Sequence, residues 1–375
     1  MHHDCIVIGL GGMGSAAAYH LAARGRRVLG LEQFTPAHAR GSSHGHSRII
    51  RKAYMEHPAY VPLLERAFTL WRELAEACTE DLLHLTGGVM IGRPDTSVIM
   101  GTLASIRAHG LPHEILDARA LRARFPAFTA ADGIVGIAEH AAGYVVPEAA
   151  VRTHLELAAA CGAELRFSEP VRRWRGLPTG GVEVETQRGV FTADNLVVAP
   201  GPFAPTVLAG LGLPLSVERR VLLWCDPIGG VEPFRQPDFP VYIWDCDDGR
   251  AFYGFPAQPG TPGVKVALHT GHDPCTPESI DRSLRADDVA AVRELLATRI
   301  PALCGSVLHH ETCMYTVMPD GHFVIAAHPE HPQVVVASPC SGHGFKFVPV
   351  VGEILADLVI DGRTAHDIAL FTMRL

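Results

Sequence analysis

The sequence lacks the features that would place the chain in a membrane, in a secretory compartment or on a nucleic acid. No apolar run approaches the roughly 20 residues that a membrane helix needs. The start, MHHDCIVIGLGG, runs from an apolar stretch straight into a glycine-rich turn, which is not the pattern of a signal peptide. The formal net charge is −8, which argues against a broad nucleic-acid surface. We therefore expect a cytoplasmic protein with neither a membrane nor a nucleic acid as partner.

Paired cysteines and metal-ligand spacings are also missing. The nine cysteines are an odd number, and no two of them stand at CxxC spacing, so the sequence predicts reduced thiols and no structural zinc site. Three histidine pairs, at 44/46, 309/310 and 328/331, have no acidic or thiolate third partner at ligand spacing, and we predict no bound metal. No Ser-His-Asp or GxSxG arrangement stands out.

A glycine-rich turn is the strongest motif that is present. Gly9, Gly11 and Gly14 fit the pattern GxGxxG between an apolar strand, CIVIG, and a helix, SAAAYHLAARG. A second strand, RVLGLE, ends at Glu32. The order of strand, glycine turn, helix, strand and acid predicts a dinucleotide-binding βαβ unit.

Each residue of this motif has a physical role. Gly9 permits the tight turn, Gly11 lets the backbone approach a pyrophosphate, and Gly14 lets the helix pack closely on the strand. The helix N-terminus faces the phosphates, and Glu32 accepts hydrogen bonds from ribose hydroxyls. An acid at this position disfavours a 2′-phosphate, but the loop alone leaves NAD and FAD equally open.

The rest of the chain predicts an α/β fold whose nucleotide-binding pattern brackets strand-rich sequence. With 375 residues, 47% of them hydrophobic, there is material for one large or two medium domains. The predicted helices cover residues 60–78, 147–162, 285–299 and a stretch from SGHGFKF to about residue 361. Strands are expected after residue 162, at LVVAPG, over much of 219–270, and as a pair formed by HFVIAAH and QVVVAS.

Several further segments, in the same order, make the sequence resemble the monomeric sarcosine oxidase and N-methyltryptophan oxidase family of flavoproteins. The segments are GLGGMG at 9–14, GSSHGHSRIIRKAY at 41–54, YGFP at 253–256, CMYT at 313–316, HFVIAAHPEH at 322–331 and SGHGFKF at 341–347. They span nearly the whole chain, and CMYT followed by SGHGFKF is far more specific than the glycine turn.

The resemblance implies a Rossmann-like FAD-binding domain built from discontinuous segments, with an inserted α+β substrate domain that contains a mainly antiparallel sheet. We place the FAD-binding domain at 1–82, 145–215 and 312–375, and the substrate domain at 83–144 and 216–311. The implied activity is oxidation of a secondary amine in an amino acid by molecular oxygen, which gives an imine and hydrogen peroxide. A monomer is expected.

The resemblance also assigns a covalent role to Cys313. In this family the cysteine of CMYT carries the flavin through a thioether to the 8α-methyl carbon. That chemistry needs a thiolate, and a nearby cation would favour it. The alternative is an inert core cysteine, which is the commoner use of the residue.

Five basic residues lie in segments where the family binds substrate and flavin. By resemblance, Arg51 and Lys346 hold the substrate carboxylate, while Arg48 and His44 lie against the flavin. Lys265 would lie near flavin N5, where a positive charge favours electron transfer to oxygen. The alternative for Arg48, Arg51 and Lys346 is that they are surface cations paired with carboxylates. The alternative for Lys265 is an ordinary strand lysine on a solvent-exposed face.

Two aromatic residues, Tyr253 and His269, match positions that line the substrate pocket; the alternative for His269 is a satisfied core histidine. The residues expected to contact the cofactor are Gly9, Gly11, Gly12, Gly14, Glu32, Gln33, Ser42, Arg48, Val171, Gly201, Cys313, Gly342, His343, Gly344, Phe345 and Lys346.

The sequence departs from the family pattern at three places. Pro339 and Cys340 stand where a glycine and a bulky apolar residue are usual, His46 replaces a commonly acidic residue, and Phe203 stands where tryptophan is frequent. These departures leave the amine unidentified. The expected substrates are N-methyl or cyclic amino acids such as sarcosine, N-methyltryptophan or pipecolate. The alternatives are a deglycating or specialised-metabolism amine oxidase, an FAD- or NAD-linked dehydrogenase, and a non-catalytic nucleotide-binding module.

Overall fold

The structure, a computed structural model, describes residues 2–339 and 341–373. In these residues the α-helices are α1 Gly12–Ala23, α2 Val61–Ala77, α3 Ser97–His109, α4 Ala118–Arg124, α5 Pro147–Ala160, α6 Ala204–Val207, α7 Ala286–Arg299 and α8 Val348–Asp361. The first ten strands are β1 His2–Ile8, β2 Val28–Leu31, β3 Arg48–Ile50, β4 Leu83–His84, β5 Gly88–Gly92, β6 Glu114–Asp117, β7 Val135–Glu139, β8 Gly143–Val145, β9 Glu164–Arg166 and β10 Val171–Gly176. The others are β11 Val182–Thr186, β12 Val190–Val198, β13 Ser216–Cys225, β14 Val241–Asp245, β15 Ala251–Gly254, β16 Val264–Leu268, β17 Val307–Val317, β18 Val324–Ala327 and β19 Val334–Ser338.

The first sheet carries the predicted nucleotide-binding motif. Its order is β10-β11-β12-β1-β2-β9, with β19 paired to β12 and β18 paired to β19. The pairs β12/β1, β1/β2, β2/β9 and β12/β19 are parallel. Within these strands the segments CIVI, VLGL, LVV and VVVA are continuously apolar, because the centre of a parallel sheet is covered on both faces. The parallel core places the carboxyl ends of β1 and β2 together, which is the edge where nucleotides bind in such sheets.

The second sheet is mainly antiparallel. Its order is β17-β13-β16-β15-β14-β5-β7-β6, and β14/β5 is its one parallel pair among the described residues. A third, small sheet joins β3, β8 and β4. The chain therefore has a mixed α/β fold with both parallel and antiparallel strands, as its sequence predicts.

Helix α1 packs against both α5 and α8 beside the first sheet. The contact between α1 and α8 is close enough that a Cβ atom at Gly352 would lie 2.6 Å from the Cβ of Ala16. Small residues at this crossing thus set the distance between the helix axes. The arrangement fixes α1 behind the glycine turn, so its N-terminus points at the site described below.

The predicted elements agree with the structure. The three helices expected over 60–78, 147–162 and 285–299 are α2, α5 and α7, and the strand pair of HFVIAAH and QVVVAS is β18/β19. The predicted C-terminal helix is α8, which follows a short 3₁₀ turn over Phe345–Phe347. The sequence analysis did not assign the elements between residues 83 and 144, because their strands are short and their helices only weakly amphipathic.

The strands of the first sheet come from the segments expected to bind FAD, and most strands of the second come from the segments expected to bind substrate. Strand β17 crosses the predicted boundary between residues 311 and 312. The division into two domains at these boundaries remains a prediction. Within residues 2–339 and 341–373, no helix is long and apolar enough to cross a membrane.

Candidate active site

The glycine turn has the geometry that its sequence predicts. Gly9 has φ +84°, and a Cβ atom there would lie 2.5 Å from the carbonyl oxygen of Ala199. A Cβ atom at Gly14 would lie 1.7 Å from the carbonyl oxygen of Gly9, so this contact between helix and turn excludes every other residue. Gly11, in contrast, faces open space apart from the Ser43 hydroxyl at 3.8 Å. A ligand can therefore approach the backbone at Gly11.

The turn opens into a cavity of about 560 Å³, which is within the usual size range of cofactor and ligand sites. Fourteen of the sixteen predicted cofactor residues line it: Gly9, Gly11, Gly12, Glu32, Gln33, Ser42, Arg48, Val171, Gly201, Cys313, Gly342, His343, Gly344 and Phe345. The other two lie behind the wall, where Gly14 packs α1 on the turn and Lys346 bonds to the backbone of His343. Sequence positions 9 to 345 thus converge on one cavity.

Glu32 ends β2 at the rim of this cavity and is held in a fixed orientation. Its Oε2 accepts a hydrogen bond from the Leu10 N–H at 2.8 Å, and its Oε1 accepts one from the Phe34 N–H at 3.0 Å. Burial by itself raises the pKa of the carboxyl, but His38 and the two N–H groups outweigh burial and hold the pKa below its usual value. The result is a fixed carboxylate with lone pairs left for hydroxyl donors.

Cys313 lies in β17, lines the cavity and is 2% exposed. Arg48 Nη2 is 3.4 Å from its Sγ and also donates to the Ser42 carbonyl oxygen at 2.9 Å. Burial raises the pKa of the thiol, yet the Arg48 guanidinium and the His44 imidazole together outweigh burial and lower the pKa to about 7. Cys313 is therefore a thiol poised to ionise, unlike Cys5, whose pKa burial raises well above its usual value.

His44 connects this thiol to a carboxylate. Its Nδ1 donates to Oε2 of Glu311 at 2.7 Å, while its buried Nε2 has no hydrogen-bond partner of ordinary geometry among the described residues. Burial lowers the pKa of the imidazole, but Cys313 and Glu311 outweigh burial and raise the pKa to about 9. His44 is thus a cation beside the thiol, and Glu311 is its counter-ion.

Tyr253 and His269, the two predicted pocket residues, lie together behind the cavity wall. Their ring centroids are 6.2 Å apart, and the ring of Tyr315, which lines the cavity, is 5.9 Å from that of His269. The guanidinium of Arg220 lies 4.9 Å over the Tyr315 ring. Burial lowers the pKa of His269 to about 4, so this residue is a neutral imidazole at pH 7.

Arg51, one half of the predicted clamp, already holds a carboxylate. It is 1% exposed, and its Nη2 donates to Glu56 Oε2 at 2.9 Å, while Nη1 donates to the Ala53 carbonyl oxygen at 2.6 Å. Its Nε is buried and has no hydrogen-bond partner within the described part of the chain. Burial raises the pKa of Glu56, but the charges of Arg51 and of the other basic groups around it together outweigh burial and lower the pKa to about 2. The guanidinium is therefore paired and has a donor in reserve.

Lys346, the second residue of the predicted clamp, lies over the same aromatic ring as Arg51, that of Tyr54. The Arg51 guanidinium lies 4.5 Å and the Lys346 ammonium 5.1 Å from the ring centre of Tyr54. Lys346 Nζ donates to the His343 carbonyl oxygen at 2.8 Å. Burial, and then the charge of Arg51, lower the pKa of Lys346 to about 7. The structure thus brings the two predicted clamp residues together. Neither lines the cavity, but His343, which accepts the hydrogen bond from Lys346, does.

Lys265 lies in β16 and is 1% exposed. Its Nζ donates to the carbonyl oxygens of Gly45 at 2.6 Å and Ser47 at 2.9 Å, and it lies 3.0 Å from the Ser47 hydroxyl. Burial, followed by the charge of Arg48, holds the pKa of Lys265 well below its usual value. It is therefore a buried amine held on three oxygens, not a strand lysine on a wet face.

The sequence analysis missed several residues that shape this region. Glu56, Glu311 and Tyr315 contact predicted site residues, and Arg220 lies over the Tyr315 ring. Glu311 and Tyr315 both lie in the segment ETCMYT at 311–316. Alternation along that segment is the signal that could have found Glu311 and Tyr315. Among the departures from the family pattern, Phe203 and Pro339 line the cavity, and Cys340 lies outside the described residues.

Two exclusions drawn from the sequence fare differently. The eight described cysteines are all free, as predicted. The reason for excluding a metal does not hold, because the fold brings Glu311 against two histidines from different pairs, His46 and His309. Sequence spacing misses such a group when one ligand comes from a distant loop.

The residues present fit FAD. A glycine cradle faces the N-terminus of α1, a fixed carboxylate stands at the end of β2, and the cavity continues to an activated cysteine and a guanidinium. These are the features that bind a pyrophosphate, a ribose and an anionic ring system.

Comparisons with known proteins agree with this fit. The FAD dependent oxidoreductase family, DAO, matches residues 4–358. The monomeric sarcosine oxidase of Streptomyces avermitilis is 51% identical, covering 99% of this chain and 97% of that one. The N-methyl-L-tryptophan oxidase of Salmonella typhimurium is 33% identical, covering 100% and 99%. The chain belongs to the monomeric sarcosine oxidase and N-methyltryptophan oxidase family, and it is an FAD-dependent oxidoreductase.

A solved structure extends the comparison to three dimensions. NikD, described as an unusual amino acid oxidase essential for nikkomycin biosynthesis, superposes with a TM-score of 0.85 at 27% identity, covering 100% of this chain and 98% of that one. The fold is therefore shared over the whole length.

Proposed function

We propose that the protein oxidises secondary amino acids, N-methyl or cyclic, with molecular oxygen as acceptor, and releases an imine and hydrogen peroxide. The observation that carries this proposal is the buried pair Arg51 and Lys346 over the Tyr54 ring. Two cations in a dry site need an anion, and only Glu56 supplies one among the described residues that contact them. An amino acid carboxylate would complete the pair by taking hydrogen bonds from Lys346 and from the unpaired Arg51 Nε.

The amine end of such a substrate would lie towards Tyr253 and His269. Both are neutral at pH 7, because burial raises the pKa of the phenol and lowers that of the imidazole. A neutral, aromatic surrounding favours an uncharged amine over an ammonium, and the uncharged amine is the form that can give up a hydride. The bound FAD would accept that hydride, and the protein supplies orientation and electrostatics.

For the cofactor, we propose that Glu32 binds the ribose, the glycine turn binds the pyrophosphate, and Cys313 Sγ forms a thioether to the flavin ring. Three features support the covalent bond: the thiol lies at the cavity wall, Arg48 lies 3.4 Å from it, and His44 adjoins it. Both neighbours are cations that stabilise a thiolate nucleophile.

Lys265 would serve the reaction with oxygen. A cation in a dry site stabilises the negative charge that develops on oxygen as it accepts an electron, and this effect is stronger than in water. The three oxygens around Nζ match the three donors of an ammonium. We further expect a cytoplasmic monomer, as the sequence predicts.

A substrate panel tests the proposed function. Sarcosine, N-methyltryptophan and pipecolate, with glycine, tryptophan and lysine as primary-amine controls, are mixed with the protein without air, and flavin absorbance is followed. Peroxide is then measured under air. At least one secondary amine should bleach the flavin and yield peroxide. Failure of every secondary amine would remove this substrate class. Bleaching without peroxide, with turnover restored by an artificial acceptor, would make the protein a dehydrogenase.

The covalent bond is tested by acid precipitation. The wild-type precipitate should stay yellow and give one flavin-bearing peptide containing Cys313, because a thioether survives acid. Cys313→Ser should release any flavin it binds. Cys275→Ser, at a partly buried thiol outside the cavity lining, is the matched control and should retain the flavin. Complete release of flavin from the wild type would disprove the attachment.

The clamp is tested with a simple carboxylate inhibitor. A charge-assisted hydrogen bond contributes roughly 1.5–3 kcal/mol, so Arg51→Gln or Lys346→Met should weaken inhibitor binding about ten- to a hundredfold. Lys52→Met is the control, since Lys52 adjoins Arg51 in sequence but pairs with Glu65 at 3.0 Å. Equal affinity in the wild type and both clamp variants would show that the carboxylate binds elsewhere.

The pH dependence of inhibitor binding gives a second measure of the clamp. Lys346 is charged below its pKa of about 7 and neutral above it, and the groups that set this pKa are Arg51 and Glu56. A carboxylate binds the charged form better, so affinity should fall as pH rises above about 7. In Lys346→Met this fall should disappear.

Lys265→Met separates the two half-reactions. The substitution keeps roughly the length of the side chain and deletes its charge. Anaerobic reduction by substrate should stay within about tenfold of wild type, whereas reoxidation by oxygen should slow about a hundredfold, equivalent to roughly 2.7 kcal/mol. Stopped-flow spectrophotometry measures both rates. Unchanged reoxidation would show that Lys265 is structural.

A further inference from the structure

Three side chains with metal-binding atoms meet near the active site, and none of them has a place in the proposed oxidation except Glu311, through its pairing with His44. Glu311 Oε1 lies 3.3 Å from His46 Nε2 and 3.5 Å from His309 Nε2. The three ligand atoms all lie within 4.8 Å of one another. In a tetrahedral zinc site with bonds of about 2.0–2.1 Å, neighbouring ligand atoms are roughly 3.3–3.4 Å apart. Two of the three separations therefore already match zinc ligation.

The backbone presents these side chains from two directions. His309 and Glu311 are two residues apart on β17, so their side chains share one face of the strand. His46 reaches the same face from the loop before β3, where its backbone is left-handed with φ +63°. A non-glycine residue in that conformation is uncommon and needs support. Here Glu148 accepts hydrogen bonds from the N–H groups of Gly45 and His46 at 2.6 and 3.2 Å.

The surroundings fit a bound cation that keeps contact with solvent. The side chains of His46 and His309 are 47% and 42% exposed, and that of Glu311 is 21% exposed. The Trp224 ring packs against both histidines, with centroids 5.7 and 4.9 Å from theirs, and limits their rotation. Lys265 is the nearby opposing charge, and Glu148 and Glu311 offset it.

The second oxygen of Glu311 is already oriented. It accepts the hydrogen bond from His44 at 2.7 Å, which leaves Oε1 directed at the two exposed histidines. Such secondary partners hold a ligand in place and raise metal affinity. The same hydrogen bond links the exposed group to His44 and Cys313.

We propose that His46, His309 and Glu311 form a binding site for one divalent transition-metal cation, with zinc as the best fit. Two imidazoles and one carboxylate suit zinc, nickel, cobalt and copper, and not magnesium or calcium, which take oxygen ligands. A fourth position would be open to water. The proposal is independent of the amine substrate. The metal would bind Oε1 of Glu311, whose Oε2 accepts the hydrogen bond from His44 beside Cys313.

The test is a zinc titration of tag-free protein purified with its FAD, treated with a chelator and dialysed, at pH 8. A chromophoric zinc indicator competes for the metal. The wild type should remove one equivalent of zinc from the indicator. Loss of a secondary partner costs ten- to a hundredfold in affinity, so loss of a direct ligand in His309→Ala or His46→Asn should cost at least about tenfold. Asparagine at 46 tolerates the left-handed backbone.

The control addresses another exposed histidine–carboxylate pair that could hold zinc. His2 Nε2 lies 2.8 Å from Asp194 Oδ1 at the surface, and the chain begins with two adjacent histidines. His2→Ala should leave the zinc affinity unchanged. Both ligand variants are at exposed side chains, and thermal unfolding and flavin absorbance check that they fold. No zinc uptake by the wild type, or equal affinity in His309→Ala and His46→Asn, would overturn the proposal.

Discussion

Burying positive charge is the constraint on which the active-site region depends. Arg51, Lys265 and Lys346 are 1%, 1% and 7% exposed, and each donates a hydrogen bond to at least one backbone carbonyl oxygen. An unpaired buried charge costs several kcal/mol, so the oxygens must be present and fixed before the charge is useful. Backbone carbonyls supply most of them, which explains why irregular loops, rather than helices or strands, surround these cations.

The loop of residues 42–47 supplies carbonyl oxygens to two basic side chains, Arg48 and Lys265. Its carbonyl oxygens at Ser42 and Ser47 accept from Arg48, and those at Gly45 and Ser47 accept from Lys265. Turning these carbonyls to opposite sides requires left-handed backbone at Gly45 and His46. The conformation that solvates the cations thereby also directs the imidazole of His46 outwards, towards Glu311.

The sequence predicts those features that form within one short segment better than it predicts contacts between segments distant in sequence. The glycine turn, helix α1 and Glu32 lie within 33 residues of one another, and short-range stereochemistry determines their arrangement. Arg220 and Tyr315 gain their roles only when the distant strands β13 and β17 pair, and no local pattern in the sequence indicates that pairing. Arg51, which the resemblance assigns to the substrate carboxylate, also pairs with Glu56, and the sequence analysis did not anticipate this pairing.

The small number of lysines is a second feature of the sequence that indicates positions in the active-site region. The chain has only three lysines among its 32 basic residues, and two of the three are buried beside the cavity. Arginine stays charged wherever it is placed, whereas the pKa of lysine falls when the residue is buried. In a chain that otherwise uses arginine, a buried lysine thus marks a position where an adjustable charge is useful. Lys346, with a pKa of about 7, fits that description.

Strand register determines the rest of the site. His309, Glu311, Cys313 and Tyr315 alternate along β17, so one face of one strand carries the exposed metal-binding group, the partner of His44, the thiol and a cavity tyrosine. The register against β13 sets Arg220 opposite Cys313 and Leu222 opposite Glu311. A shift of one residue would move all four side chains to the other face at once. The long antiparallel pairing of β13 with β17 therefore fixes these four alternating residues on the same face of the strand.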